Sequence, residues 1–237
     1  MISKKLDHAP IVQGDITIPI TPLIEGILNF VDAFLPLFPA SIKNINPPLI
    51  TEKLLNQQLV DFFNGHSSDK KYGEYIIYKF IFRKDDERSD TQARPDIGVT
   101  IWNKAQGQSD SNSFFQIECK RLPTPGVSVD RSETEYVRGT PKNKGGIERF
   151  KRNEHGFHIN EAALIGYVQD NTLDYWINKI SEWINLEISN DKNDLKWLIS
   201  DHLVLIKKQA LLNKYISTCG RENKTDILLY HFLINVQ

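Results

Sequence analysis

Apolar positions change period several times along the chain, and each change marks an element. In 21–38, TPLIEGILNFVDAFLPLF, residues Leu23, Ile24, Ile27, Leu28, Val31, Phe34 and Leu35 recur at helical spacing. Thr21 reads as the N-cap, Pro22 suits the first turn, and Pro36 and Pro39 are expected to end the helix. A second helix is predicted from Ile50 to Asn64, with Leu54, Leu55, Leu59, Phe62 and Phe63 on its apolar side and Gly65 as its C-cap. The pattern then turns β-branched and aromatic. Residues 73–86, 95–102 and 114–122 read as strands, separated by a polar turn at 85–94 and a polar loop at 103–113. A short helix follows over 144–156, with Ile147 and Phe150 as its apolar side. Residues 161–170, EAALIGYVQD, are apolar on both faces, as a buried parallel strand would be. An amphipathic helix is predicted over 172–188, and 194–203 fits helix or loop. Strand runs within 203–219 and at 227–236 flank RENKTD and predict a terminal hairpin.

From residue 50 the order is helix, three strands, helix, strand, helix and hairpin. This predicts an α/β fold in which a mixed β-sheet is flanked by helices. Residues 1–48 form an N-terminal arm and helical extension, and 49–237 the main domain, in a single compact unit. At 237 residues, 40% hydrophobic and 25% charged, the chain can build one sizeable core. Phe30, Phe34, Leu37 and Phe38 serve either to cover the sheet or to mediate a homodimer. The segment 123–143 reads as a long loop, which in a compact domain is often functional.

Charge narrows the partners. The net charge is −1, so contact with nucleic acid must rest on a local patch. Cys119 and Cys219 both fall in strand-like runs. That is no disulfide framework, and a reducing, cytoplasmic setting is expected. Neither a signal peptide nor an apolar run of membrane-spanning length is read from the sequence. Without a GxxxxGK[ST] loop, any ATP use would lie in a partner.

The chemistry concentrates between Arg94 and Arg121. Strand side chains alternate faces, so Glu118 and Lys120 share one face while Ile117 and Cys119 face the other. Two charges inside an apolar strand are costly unless solvated, paired or bound to metal. Asp96 follows Pro95 at the mouth of the preceding strand. Read singly, Glu118 and Lys120 make a solvated edge pair and Asp96 is turn chemistry. Read jointly, they make a site for phosphodiester hydrolysis.

In this order, Pro95-Asp96 and Glu118-x-Lys120 resemble the motif of the PD-(D/E)XK nuclease superfamily, over roughly residues 50–170. The loop 103–113 accounts for the wide spacing as a hairpin insertion, and 136–150, YVRG…GGIERF, is similar to a segment found in some restriction-type members. The resemblance implies a restriction-endonuclease-like fold and a metal-dependent endonuclease acting on DNA. It also implies a bacterial restriction or anti-phage setting, often beside a helicase or ATPase partner. Mg²⁺, with Mn²⁺ as substitute, would be held by Asp96, Glu118 and the backbone carbonyl of Cys119. Lys120 would orient the attacking water or stabilise developing charge. Glu52 would reach the metal through water, although a first-turn glutamate is also explained by the helix dipole alone. The alternatives are a catalytically inactive module of the same fold, binding nucleic acid or a partner protein, and an RNA or single-strand nuclease.

The stretch 142–152 carries Lys142, Lys144, Arg149, Lys151 and Arg152 against Glu148 alone. Gly145 and Gly146 would leave N–H groups open near a helix start, which suits phosphate. Lys142, Lys144, Arg149, Gly145 and Gly146 are therefore the expected substrate-binding residues, and a solvated basic face is the plain alternative. Tyr136 either stacks on a base or packs in the core. His155 and His158 have no partner at metal-ligand spacing and read as ordinary histidines.

Overall fold

The computed structural model describes residues 11–13, 16–18, 20–42, 51–70, 74–75, 78–84, 94–103, 107–109, 112–127, 130–222 and 224–237. In chain order these form β1 (Ile11–Gln13), β2 (Ile16–Ile18), α1 (Ile20–Phe34), a 3-10 turn (Leu35–Leu37), α2 (Phe38–Ser41) and α3 (Glu52–His66). Then come β3 (Glu74–Tyr75), β4 (Tyr78–Lys84), β5 (Ile97–Asn103), β6 (Gln108–Ser109), β7 (Phe115–Leu122), α4 (Gly146–Lys151), β8 (Glu161–Val168) and α5 (Leu173–Ile188). A 3-10 turn (Ile199–Asp201) leads into β9 (Val204–Lys208), β10 (Leu212–Cys219) and β11 (Ile227–Asn235).

Among the described residues one nine-stranded sheet runs in the order β3-β4-β5-β7-β8-β11-β10-β9, with β6 pairing to β5. The pairs β7–β8 and β8–β11 are parallel and the others antiparallel. The mixed sheet and flanking helices match the expected class. The long crossover through α4 delivers β8 parallel to β7, as parallel neighbours require. The terminal hairpin is not an appendage: β11 lies directly against β8 and extends the sheet. Residues 204–219 hold two strands rather than one.

Period two in β7 decides which layer each side chain enters. Ile117 and Cys119 face a core with α1 and α3, including Phe30, Leu55, Leu59 and Phe63. Leu122, on the opposite face, joins Tyr136, Ile147, Phe150, Leu164 and the α5 residues Trp176, Ile180 and Trp183. Helices thus cover both faces. Phe30, Phe34 and Phe38 are buried in the first core and Leu37 is exposed, so the N-terminal helix covers the sheet. Thr21–Ser41 is long and apolar enough to cross a membrane, at mean hydropathy 1.5, but 50% of its apolar stretch is buried inside the protein.

Several boundaries differ from expectation. α1 starts at Ile20, placing Thr21 and Pro22 within its first turn. Pro36 and Pro39 do not end the helical path. Each enters the first turn of a new short segment, where its missing N–H is not needed. Gly65 lies inside α3, whose cap is Ser67. The Ser67 Oγ donates to the Asn64 carbonyl at 2.9 Å. The expected strand over 73–86 is split, because Tyr75 pairs with Tyr78 across an antiparallel β3–β4 ladder. Residues 194–203 form no regular helix beyond the 3-10 turn.

Candidate active site

The site begins where two strands part. β5 and β7 pair only at Ile97↔Ile117, Gly98↔Gln116 and Val99↔Phe115. Beyond Ile117 the N–H groups of Cys119 and Arg121 face the gap, and buried N–H groups need acceptors. Asp96, just before β5, accepts the Cys119 N–H through Oδ2 at 2.8 Å. Glu52, the first residue of α3, accepts the Arg121 N–H through Oε2 at 3.3 Å. Two carboxylates thus stand where the partner strand has left.

Lys120 draws the three predicted acids together. Its Nζ lies 2.7 Å from Glu118 Oε1, 3.5 Å from Glu52 Oε1 and 3.9 Å from Asp96 Oδ2. It also donates to the Cys119 carbonyl at 2.9 Å. Glu118 is 0% exposed and Lys120 4%. The solvated edge pair is therefore excluded: β7 is interior, flanked by β5 and β8. Asp96 and Glu52 keep 21% and 20% of their side-chain surface and form the open side of the cluster.

Glu118 has two further basic side chains beside it. Arg149 Nη1 of α4 is 3.4 Å from its Oε1, and His155 Nδ1 is 3.2 Å from its Oε2. Neither carboxylate oxygen makes a regular hydrogen bond. Burial by itself would push this carboxyl up, yet Lys120, His155 and Arg149 together hold it well below the usual range. Asp96 goes the other way. Burial first, then the charges of Glu118 and Glu52, raise it well above an ordinary aspartate despite the opposing pull of Lys120. Lys120 is pushed up in turn, because Glu118, Glu52 and Asp96 outweigh its burial.

Lys120 thus faces three carboxyl groups, of which Asp96 and Glu52 stand on the open side. Among the described residues no three His, Cys, Asp or Glu side chains form a ready-made metal site, and Lys120 Nζ sits among the carboxylates. The donor set is nonetheless all hard oxygen, which suits Mg²⁺ or Mn²⁺. It comprises Asp96, the under-bonded buried oxygens of Glu118, and the Cys119 carbonyl, whose second lone pair remains after Lys120.

The expected substrate-binding stretch is arranged differently. Lys142 pairs with Asp130 at 2.8 Å, and Lys144 Nζ lies 3.7 Å from Glu148. Lys151 is fully buried against Asp201 at 2.8 Å, and Arg152 pairs with Glu148 and Asp194. Acids remote in sequence cancel the local positive count. The Gly145 and Gly146 N–H groups are not open either. Gly145 donates to Glu148 Oε2 at 3.1 Å and Gly146 to the Glu135 carbonyl at 2.9 Å. The glycines are there for closeness: a Cβ on Gly145 would meet Arg138 and Gly139 backbone at 2.6 Å. Arg149 alone of the five reaches the acid cluster. Tyr136 packs in the core, with its hydroxyl 3.0 Å from His231 Nδ1.

His155 is the site residue that sequence reasoning missed. Asn153 and Gly156, at φ 59° and 70°, turn the chain back after α4. The Gly156 N–H then donates to Gln116 Oε1 at 2.8 Å. Gln116 alternates with Glu118 on β7, so one strand face both anchors this turn and presents the carboxylate that His155 meets. The only available signal was Gln116 itself, a third polar residue on that face. Arg121 and Arg131 were also missed; Arg131 Nη2 comes within 3.9 Å of Glu52 Oε2.

No family model, curated protein or solved structure matches the chain.

Proposed function

We propose that this chain is a metal-dependent endonuclease of the PD-(D/E)XK type, with a restriction-endonuclease-like fold, that hydrolyses DNA phosphodiesters. The observation that carries the reading is the meeting of Glu118, Glu52 and Asp96 around Lys120 Nζ, at the point where β5 and β7 part. Such burial of charge is costly for stability, which favours a chemical role. Support also comes from the order α3, β4, β5, β7, α4, β8, the succession expected of that fold.

In this reading Asp96, Glu118 and the Cys119 carbonyl hold Mg²⁺ or Mn²⁺, which would lower the pKa of a bound water and neutralise charge at the phosphate. Lys120 Nζ positions the nucleophile or stabilises charge developing on the phosphoryl oxygens. Glu52 adds to Glu118 in keeping Lys120 protonated and fixes the end of β7 through the Arg121 N–H. Lys120 first, then His155 and Arg149, offset the burial of Glu118 and favour its ionised form. A restriction or anti-phage setting, with a helicase or ATPase partner, belongs to the same proposal.

One observation favours a second reading, a non-cutting module of the same fold. Glu118 already faces the cations of Lys120 and Arg149 and meets His155, and a carboxylate so compensated has less need of metal. Incubation of supercoiled plasmid with Mg²⁺ or with EDTA separates the two. Cutting in Mg²⁺ alone is expected; intact plasmid, single-stranded DNA and RNA in every metal condition would sink the nuclease reading.

A further inference from the structure

A buried ammonium gathers oxygens around it, and Lys120 gathers the very oxygens assigned to the metal. Its Nζ is 2.7 Å from Glu118 Oε1, 3.9 Å from Asp96 Oδ2 and 2.9 Å from the Cys119 carbonyl. Glu52 Oε1 stands fourth, at 3.5 Å. These oxygens come from three elements and the approach to β5, so the fold has brought them to one cation. The Lys120 side chain is only 5% exposed and sits among them rather than in solvent. Arg149 differs: of the three acids it reaches Glu118 alone among the described residues, at 3.4 Å, and it keeps 25% of its side-chain surface.

A divalent ion drawn to these oxygens meets a positive charge already bonded to them. Like charges that share a buried donor set repel strongly. We propose that Lys120 is the site's internal competitor for a divalent cation: Nζ bonds to the donor oxygens, and a metal gains them only as Nζ gives them up. The exchange selects against Na⁺ and K⁺, which bring no more charge than the ammonium they would replace. It also explains how Glu118 can be so fully compensated and still serve as a ligand. That the incoming ion is catalytic rests on the nuclease reading; that the oxygens are already engaged rests on the distances.

The test is metal binding without nucleic acid. Mn²⁺ would be titrated calorimetrically into wild type, Lys120→Met, Lys120→Gln, Arg149→Met and Glu118→Gln. Both Lys120 variants should bind Mn²⁺ about tenfold more tightly than wild type, because their donors are no longer held by Nζ. Arg149→Met also removes a positive charge, but one outside the shared oxygens, and should gain less than about threefold. Glu118→Gln should bind more weakly, which places the ion at this cluster. Thermal melts identify any variant that fails to fold. A second measurement needs no variant: acetic anhydride labelling of wild type, read by mass spectrometry, should modify Lys120 faster in saturating Mn²⁺ than in EDTA. A gain below about fivefold in the folded Lys120 variants overturns the competition, as does a gain matched by Arg149→Met. Binding unaffected by Glu118→Gln, or labelling unaffected by metal, overturns it too. Tighter binding by Lys120→Met in a protein whose wild type never cuts nucleic acid would keep the competition and end the nuclease reading. Metal-dependent cleavage by wild type, with no gain in Lys120→Met, would do the reverse.

Discussion

Nδ1 of His155 stands 3.2 Å from Oε2 of Glu118, with both side chains fully buried. The turn that carries His155 is held by Gln116, on the same strand face, so the imidazole positions the carboxylate. His155→Ala should cost about 2 kcal/mol or more by urea denaturation, from the cavity and the lost contact. It should also slow cleavage, with partial rescue by His155→Gln. Unchanged rates in the alanine variant would show that His155 only packs.

Asp96 trades stability for function. Burial and its acidic neighbours raise its pKa, so the folded state holds this proton more tightly than the unfolded chain does. Stability is therefore present at low pH and lost as pH rises through the folded value. Asp96→Asn keeps an oxygen for the Cys119 N–H and removes that loss. The variant should be inactive yet melt above wild type at neutral pH, the gap closing in acid. A lower Tm for the variant at neutral pH would refute this.

Lys151 and Asp201 are both 0% exposed and bonded at 2.8 and 2.9 Å. Lys151→Ala should cost about 3–5 kcal/mol because Asp201 is left buried and uncompensated. Replacing the pair together, as Lys151→Met with Asp201→Leu, should recover much of that loss. Denaturant midpoints of Lys151→Met, Asp201→Leu and the double variant give the coupling directly, and additive losses would contradict it.

His231 gives the fold an acid limit. Burial pushes its imidazole down to about 3, while its ring nitrogens meet Tyr136 and Ser217 at 3.0 and 2.9 Å. The unfolded chain takes up this proton near pH 6.5, so stability is full above that value. It should fall by about 1.4 kcal/mol per pH unit between there and about 3. His231→Gln should flatten that part of the profile; an unchanged slope would remove His231 from the account.

The chain order of β4, β5, β7, β8 and β11 and the shared face of Glu118 and Lys120 were legible because period two and apolar composition act locally. The burial of that pair was not, since it depends on β5 and β8 flanking β7 in the sheet. The basic run misled for a related reason. Its neutralising acids Asp130, Asp194 and Asp201 lie outside the run and arrive only through tertiary folding. Gly65 has the composition of a cap, but Ser67 supplies the terminal hydrogen bond, and a helix continues while its carbonyls find donors. His155 and Arg131 carry no spacing signal, because their partners Glu118 and Glu52 sit on other elements.

The central claim is that the Glu118–Lys120 pair performs the chemistry. The most direct measurement is single-turnover cleavage of DNA in Mg²⁺ by wild type, Glu118→Gln and Lys120→Met, with duplex binding in EDTA recorded on the same samples. Both variants should bind as wild type does and cleave about a thousandfold more slowly or not at all. Cleavage within tenfold of wild type in either folded variant would contradict the account.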